Sequence, residues 1–252
     1  MNNQEKISRF AQILQQAKQA YVLTGAGIST ESGIPDYRSP KTGLWTKVDP
    51  MKTATVSVLM SDPDYFWLSN LPRYKYIAEM GRPNLGHRAL ATLEEKGLIE
   101  GIITQNIDGL HQKAGSRSVW ELHGHLRSVR CMYCANEVSF KAAVSMVEQT
   151  NSAPKCEKCG GILRPNIVLF EDPMDETFST VSEFLPRSDL LIIAGTSLQV
   201  YPAASLPQLV NNLIIINLEP TRFDSGSQLV IHDNIGQVFD ALVKELKIRP
   251  IG

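Results

Sequence analysis

The sequence predicts a doubly wound α/β fold, with a parallel, Rossmann-like sheet interrupted by two insertions. Two observations point there. Short runs rich in Ile, Val and Leu recur along the chain without polar alternation, which is the pattern of strands buried on both faces. Segments with helical periodicity separate these runs, as a sheet covered by helices requires.

Taken in order, Ile7, Phe10, Ala11, Leu14 and Ala17 fall at helical spacing and predict an amphipathic first helix, followed by a strand over Ala20 to Leu23. A glycine turn and a further helix are expected next. Strands are then predicted within Ile99 to Thr104, Ile167 to Phe170, Leu190 to Ala194 and Leu213 to Asn217. Pro83 to Lys96 reads as a helix closed by Gly97, and Ile235 to Leu246 as the last one. Two segments break the alternation. Residues 36–82, rich in Pro, Ser, Trp and Tyr, predict a loop followed by a helical excursion, and residues 130–164 contain all four cysteines. Because sheet-like runs resume after each, both are expected as insertions in one domain, whose Rossmann-like part is 1–35, 83–129 and 165–252.

At 252 residues the chain can bury a large core. Its 25 basic and 26 acidic residues give no general attraction for nucleic acid. No apolar run approaches the roughly 20 residues that span a bilayer, and Met1 to Gln19 lacks the apolar centre of a signal peptide, so a soluble, cytoplasmic protein is expected.

Cys131-x-x-Cys134 and Cys156-x-x-Cys159 use every thiol in the chain. Two such pairs supply the four thiolates that tetrahedral Zn2+ accepts, and without a secretory signal the disulfide alternative is disfavoured. A four-sulfur site has no open coordination position, so the metal is expected to be structural.

Candidate reaction chemistry lies elsewhere. In Thr24-Gly25-Ala26-Gly27 two glycines stand where a strand turns into a helix, so backbone N–H groups can approach a pyrophosphate, although Thr30 replaces the third glycine of the dinucleotide fingerprint. Gly195-Thr196-Ser197 and Asn217-Leu218-Glu219 end two later strands, where donors and acceptors can reach a ribose or a base. Thr104-Gln105-Asn106-Ile107-Asp108 is either a capped turn or a ligand site at the same sheet edge. Among His87, His111, His123, His125 and His232, the segment Glu121-Leu-His-Gly-His125 best suits a base, and the residues alone do not choose between His123 and His125.

Together, Gly25-Ala-Gly-Ile-Ser29, Gly33-Ile-Pro-Asp-Tyr-Arg38, Thr104-Gln-Asn-Ile-Asp108, Leu122-His-Gly124, the cysteine pairs, Gly195-Thr-Ser-Leu198 and Asn217-Leu-Glu219 resemble the sirtuin family in order and spacing. The likeness covers nearly the whole chain and is to compact bacterial sirtuins. It implies an NAD-dependent protein lysine deacylase that yields free lysine, nicotinamide and O-acyl-ADP-ribose, with structural Zn2+ and acyl-lysine proteins or peptides as partners. His123 would be the base and Asn106 would organise the reacting centre with Gln105. Gly25, Ala26, Gly27, Thr30, Asp36, Tyr37 and Arg38 would face the pyrophosphate and nicotinamide end, and Ile107 and Asp108 the nicotinamide amide. Gly195, Thr196, Ser197, Asn217, Leu218, Glu219 and Ile235 would contact the adenosine half. A substrate peptide would add a strand to Val168, Leu169, Phe170 and Glu171 and to the segment around Val200.

Two positions depart from the family pattern. Tyr37 stands where Phe is common, and Glu171-Asp172 replaces Gly-Glu after the substrate-pairing strand. The Tyr-x-x-Arg pair of sirtuins that favour succinyl or malonyl groups is absent, so acetyl or another neutral acyl group is expected; Arg73, Tyr74 and Tyr76 lie in the corresponding region but in another arrangement, for which a solvated face is the simple alternative. The rival readings are a mono-ADP-ribosyltransferase using the same NAD site and a non-catalytic NAD-binding interaction module. A monomer is compatible with the sequence.

Overall fold

The computed structural model describes residues 1–36 and 49–249. Its larger sheet has six parallel strands: β1 (Ala20–Thr24), β2 (Gly101–Thr104), β3 (Val119–Glu121), β7 (Leu190–Ala194), β8 (Leu213–Ile216) and β9 (Leu229–Ile231). Their order is β3-β2-β1-β7-β8-β9, so the chain leaves β1 toward one edge and returns at β7 to build the other half. The strand order reverses between β1 and β7, and the open crevice where doubly wound sheets hold ligands lies at the carboxyl ends of these two strands.

Why these short runs are strands follows from what covers them. Val22, Ile102, Ile192 and Ile214 face a layer made by α1 (Asn3–Gln16), α4 (Leu85–Glu95) and α8 (Ile235–Glu245), packing on Phe10, Leu14, Leu90, Leu93, Phe239 and Leu242. The alternate residues Leu23, Ile103, Leu191, Ile193 and Ile215 face Val181 of α7 (Glu176–Phe184), with Leu185, Leu206 and Val210. Both faces are dry, which is why the runs carry no polar alternation. Asn2 and Asn84 cap α1 and α4 through side-chain oxygens, satisfying N–H groups that each helix start leaves unpaired.

The remaining elements form a second unit. Three antiparallel strands, β4 (Gly124–Cys131), β5 (Glu137–Ser139) and β6 (Leu163–Ile167), have the order β5-β4-β6. They share one core with α2 (Val56–Ser61), α3 (Pro63–Met80) and α6 (Phe140–Thr150), including Trp67, Leu71, Tyr74, Val129, Val144 and Leu163. The indole N–H of Trp67 donates to the Leu163 carbonyl at 2.9 Å, tying the helical excursion to the cysteine-bearing segment. The two insertions therefore pack on each other.

Three expectations change. The run Ile167 to Phe170 is not a strand of the parallel sheet: Ile167 ends β6 of the small sheet, where Pro165 is tolerated on an edge strand, and the following residues turn away. The expected boundaries at 130 and 164 fall inside β4 and β6, because the small sheet extends past the cysteines on both sides. After Gly25 the chain forms a 3-10 helix over Ala26–Ser32 in place of an α-helix. One short α-helix, α5 (Leu110–Lys113), follows β2.

Candidate active site

A cavity of about 530 Å3 opens at the carboxyl ends of β1, β2, β7 and β8 and is closed on its other side by residues 167–172 of the small unit. The turns after β1 and β7 make its floor. Gly27 N–H donates to the Gly195 carbonyl at 2.8 Å, and a Cβ on Gly195 would lie 2.5 Å from the Ile28 nitrogen. Gly195 also has φ of 68°, a conformation that costs glycine little and other residues more. The Ala26 N–H has no hydrogen-bond partner among the described residues, so a donor remains at this turn for a ligand.

The end of β2 supplies the most ordered polar group. Asn106 spends both amide protons, on the Gly25 carbonyl at 3.1 Å and on Ser29 Oγ at 3.1 Å, and its backbone N–H goes to Thr104 Oγ1 at 3.1 Å. The Asn106 Oδ1 is therefore fixed as an acceptor. Gln105 Nε2 donates to Thr196 Oγ1 at 2.9 Å, bridging the ends of β2 and β7. Ser29 donates to Asp108 Oδ2 at 2.7 Å, while Leu110 N–H donates to Asp108 Oδ1 at 2.9 Å. Burial nonetheless pushes the Asp108 carboxyl above its ordinary range.

Among the five histidines only His123 lines the cavity. Its Nδ1 lies 2.9 Å from the Gln105 carbonyl, which can only accept, so Nδ1 carries the proton and Nε2 presents a lone pair. Burial lowers the His123 pKa, partly countered by that hydrogen bond, so the imidazole is neutral near pH 7. This is the tautomer and charge state that a general base needs. His87 and His111 are fully buried, bonded to Asn84 and Thr24 respectively, and His232 bonds the Asn217 carbonyl and Asp224. His125 is absent from the cavity lining and partly exposed.

The four cysteines converge at the far end of the small sheet. Their sulfurs all lie within 4.8 Å of one another, with neighbouring pairs at 3.4 Å (Cys131–Cys159), 3.4 Å (Cys134–Cys159) and 3.6 Å (Cys134–Cys156). Tetrahedral Zn2+ with bonds of about 2.3 Å sets sulfur–sulfur edges near ~3.8 Å, so the quartet fits the ion with little movement. None of the four lines the cavity.

The model of the Sir2 family matches residues 25–202 of this chain. The chain belongs to the Sir2 family, the sirtuins. An NAD-dependent protein deacetylase of Caldivirga maquilingensis is 46% identical over 241 residues, covering 94% of this chain and 92% of that protein. NAD-dependent protein deacetylase 2 of Caldanaerobacter subterraneus is 43% identical, covering 92% and 93%. Among solved structures, a Sir2 complex with a peptide and NAD+ has a TM-score of 0.87 at 35% identity, covering 95% of this chain and 98% of that one. Sir2 bound to acetylated peptide likewise has a TM-score of 0.87, at 34% identity, covering 97% and 100%.

In this sirtuin the cavity wall brings together Gly25, Ala26, Gly27, Thr30, Asp36, Gln105, Asn106, Ile107, His123, Val168, Leu169, Phe170, Glu171, Gly195, Thr196, Ser197, Val200, Asn217, Leu218, Glu219 and Ile235. Asp108 lines a much smaller adjoining cavity with Ser29, Ile34 and Ile77. Tyr37 and Arg38 lie outside the described residues. The sequence reading missed Ala54, Asp172, Met174 and Pro220, which also line the main cavity. It also misplaced Arg73 and Tyr74: both line the cavity, Tyr74 is fully buried, and Arg73 donates to Asn70 Oδ1 at 3.0 Å with its guanidinium 5.1 Å from the Tyr74 ring centre. The spacing of Phe66, Trp67, Asn70 and Tyr74 on one helix face was the available signal, since it turns Arg73 toward the side that is half covered.

Proposed function

We propose that this sirtuin is an NAD-dependent protein-lysine deacylase that moves the acyl group from lysine to ADP-ribose. The observation that carries the reading is the fixed tautomer of His123, whose free Nε2 shares the cavity with the oriented Asn106 Oδ1. NAD, as co-substrate, would lose nicotinamide as the acyl-lysine amide oxygen bonds to C1′ of its ribose, and water would complete the release of the lysine amine once a ribose hydroxyl has taken the acyl carbon. Three groups of residues would hold it: the turn at Gly25–Gly27 with Thr30 at the pyrophosphate, Gly195–Ser197 with Asn217, Glu219 and Ile235 at the adenosine half, and Ile107 with Asp108 at the nicotinamide amide. Asn106 Oδ1 would orient a ribose hydroxyl, and His123 Nε2 would take its proton so that the hydroxyl oxygen can attack the acyl carbon. Phe170 pairs with Ala54 and Val56 on one side, which supports Val168–Glu171 as one wall of a peptide channel whose other wall includes Val200.

Acetyl and other neutral acyl groups are the expected substrates, because the Arg73 guanidinium is already engaged by Asn70 and Tyr74 and no tyrosine stands three residues before it. Thiolate ligation of the metal needs reduced cysteines, which fits a cytoplasmic setting. The test compares the wild type and His123→Ala, each with NAD and an acetyl-lysine peptide, by mass spectrometry. Loss of the acyl mass with the wild type alone supports the reading. Unaltered peptide across several acyl groups would sink it, and ADP-ribosyl mass on protein would replace it with the transferase reading.

A further inference from the structure

The departure at Glu171 has a structural partner. Residues 169–172 form a turn, with Asp172 N–H donating to the Leu169 carbonyl at 3.1 Å, and Glu171, its third residue, has φ of 76°. Turns of this kind favour glycine at that place, because a side chain there meets its own backbone. Here the strained residue is tied down. One carboxylate oxygen of Glu171 accepts both the backbone N–H of Ser57 at 2.8 Å and its hydroxyl at 2.5 Å, in the first turn of α2. These bonds hold the carboxyl below its ordinary pKa range, so it stays ionised near neutral pH.

The same turn is fixed from two other sides. Phe170 N–H donates to the Ala54 carbonyl and Val56 N–H to the Phe170 carbonyl, both at 3.1 Å. Asp172, held by Arg164, accepts from Leu169 N–H at 2.8 Å. Among the described residues, the backbone N–H and carbonyl of Glu171 have no hydrogen-bond partner, although the residue lines the cavity. The side chain that departs from the family pattern thus anchors the one residue of the turn whose main-chain donor and acceptor are both open to an incoming strand.

We infer that Glu171 and Ser57 form a latch that pre-orients the peptide-binding edge, making Glu171 a positioning residue for extended substrates. The inference depends on the deacylase reading. A substrate with residues on both sides of the acyl-lysine uses the edge, whereas a single blocked acetyl-lysine is too short to add a strand. Ordering the edge in advance lowers the cost of peptide binding without touching the reacting groups.

The experiment measures kcat and KM on an acetyl-lysine peptide of about ten residues, long enough to pair along the edge, and on blocked acetyl-lysine. It compares the wild type, Ser57→Ala, Glu171→Gly and Glu171→Gln. Ser57→Ala removes the hydroxyl half of the latch from outside the cavity, leaving the backbone N–H, and should raise the peptide KM roughly threefold, with kcat and the single-residue kinetics unchanged. Glu171→Gly removes the whole latch and should raise the ratio of peptide KM to single-residue KM roughly tenfold. Glu171→Gln, which keeps a neutral acceptor, should fall between. An unchanged ratio in Ser57→Ala and Glu171→Gly, or equal increases on both substrates, would overturn the latch. Absence of wild-type turnover on any acyl peptide would instead reject the deacylase reading, and is scored before the variants are compared.

Discussion

A methyl group added at Gly27 tests the crossing of two backbone turns that forms the cavity floor. Its Cβ would lie 2.8 Å from the Gly195 Cα and 2.8 Å from the Gly195 carbonyl oxygen. Carbon contacts settle near 3.5–4.0 Å, so the turns after β1 and β7 must part by about 0.7 Å or more. Neither can yield by rotating a side chain. Gly195 is backed by Ile28 and Ile235, and separation lengthens the 2.8 Å hydrogen bond from Gly27 N–H. Overpacking of this kind costs about 1–3 kcal/mol, which in a chain of this size lowers the melting temperature by roughly 5 °C. Because the displaced atoms are also the proposed pyrophosphate floor, Gly27→Ala should raise the KM for NAD roughly tenfold or more. Thermal unfolding by circular dichroism and steady-state kinetics at varied NAD provide the readouts. Gly226→Ala, which points into open space, serves as the control and should change neither. Wild-type stability and NAD affinity in Gly27→Ala would refute the steric argument.

Three further outcomes are expected. Since burial lowers the His123 pKa and the neutral ring is the active form, activity should persist as pH falls through the ordinary histidine value of about 6.5 and fail only below it; a kcat/KM profile whose acid limb lies above that value would contradict the assignment. Cys156→Ser should reduce zinc content, measured by atomic absorption, together with the yield of folded protein and activity, because Cys156 is buried in the core shared by both insertions. A folded, fully active, zinc-free variant would show the metal to be dispensable. An acetyl-lysine peptide should turn over faster than its succinyl twin, and the reverse order, abolished by Arg73→Leu, would assign the Arg73 guanidinium to an acyl carboxylate.

The four central strands of the larger sheet were legible because they are covered on both faces: Val22 and Leu23 point into different layers, yet both layers are dry and both residues must be apolar, whereas the short edge strands β3 and β9, less fully covered, were not read. The small sheet was not legible. β4 lacks a regular alternation because its register shifts between Gly124 and Val129, β6 contains a proline, and the strongest local signal there, Ile167 to Phe170, combines a strand end with a turn. Motif order placed Asn106 and His123, but tautomer and amide orientation depend on carbonyls far away in sequence, Gly25 for Asn106 and Gln105 for His123. Tyr74 was misread because its burial is decided by the core that the two insertions share, and Arg73 because its partners Asn70 and Tyr74 lie on that same buried side of α3.

The cysteine cluster and the proposed base are joined by one strand. β4 begins at Gly124, directly after His123, and runs to Cys131. Gly124 has φ of 71°, and a side chain there would run into the Asn166 carbonyl oxygen of β6. This close approach presses the chain leaving His123 against the strand whose continuation is the proposed substrate edge, and Val168 N–H donates to the His123 carbonyl at 2.9 Å. The backbone of His123, the proposed base, is thus bonded to the segment proposed to carry the peptide, while its ring is bonded to the end of β2. The cysteines stabilise the opposite end of the same β4–β6 pair, where Cys131 stands opposite Leu163. Zinc held there would act on the proposed reaction through the register of these strands and through the core that Cys131 and Cys156 share with α2, α3 and α6, without lining the cavity.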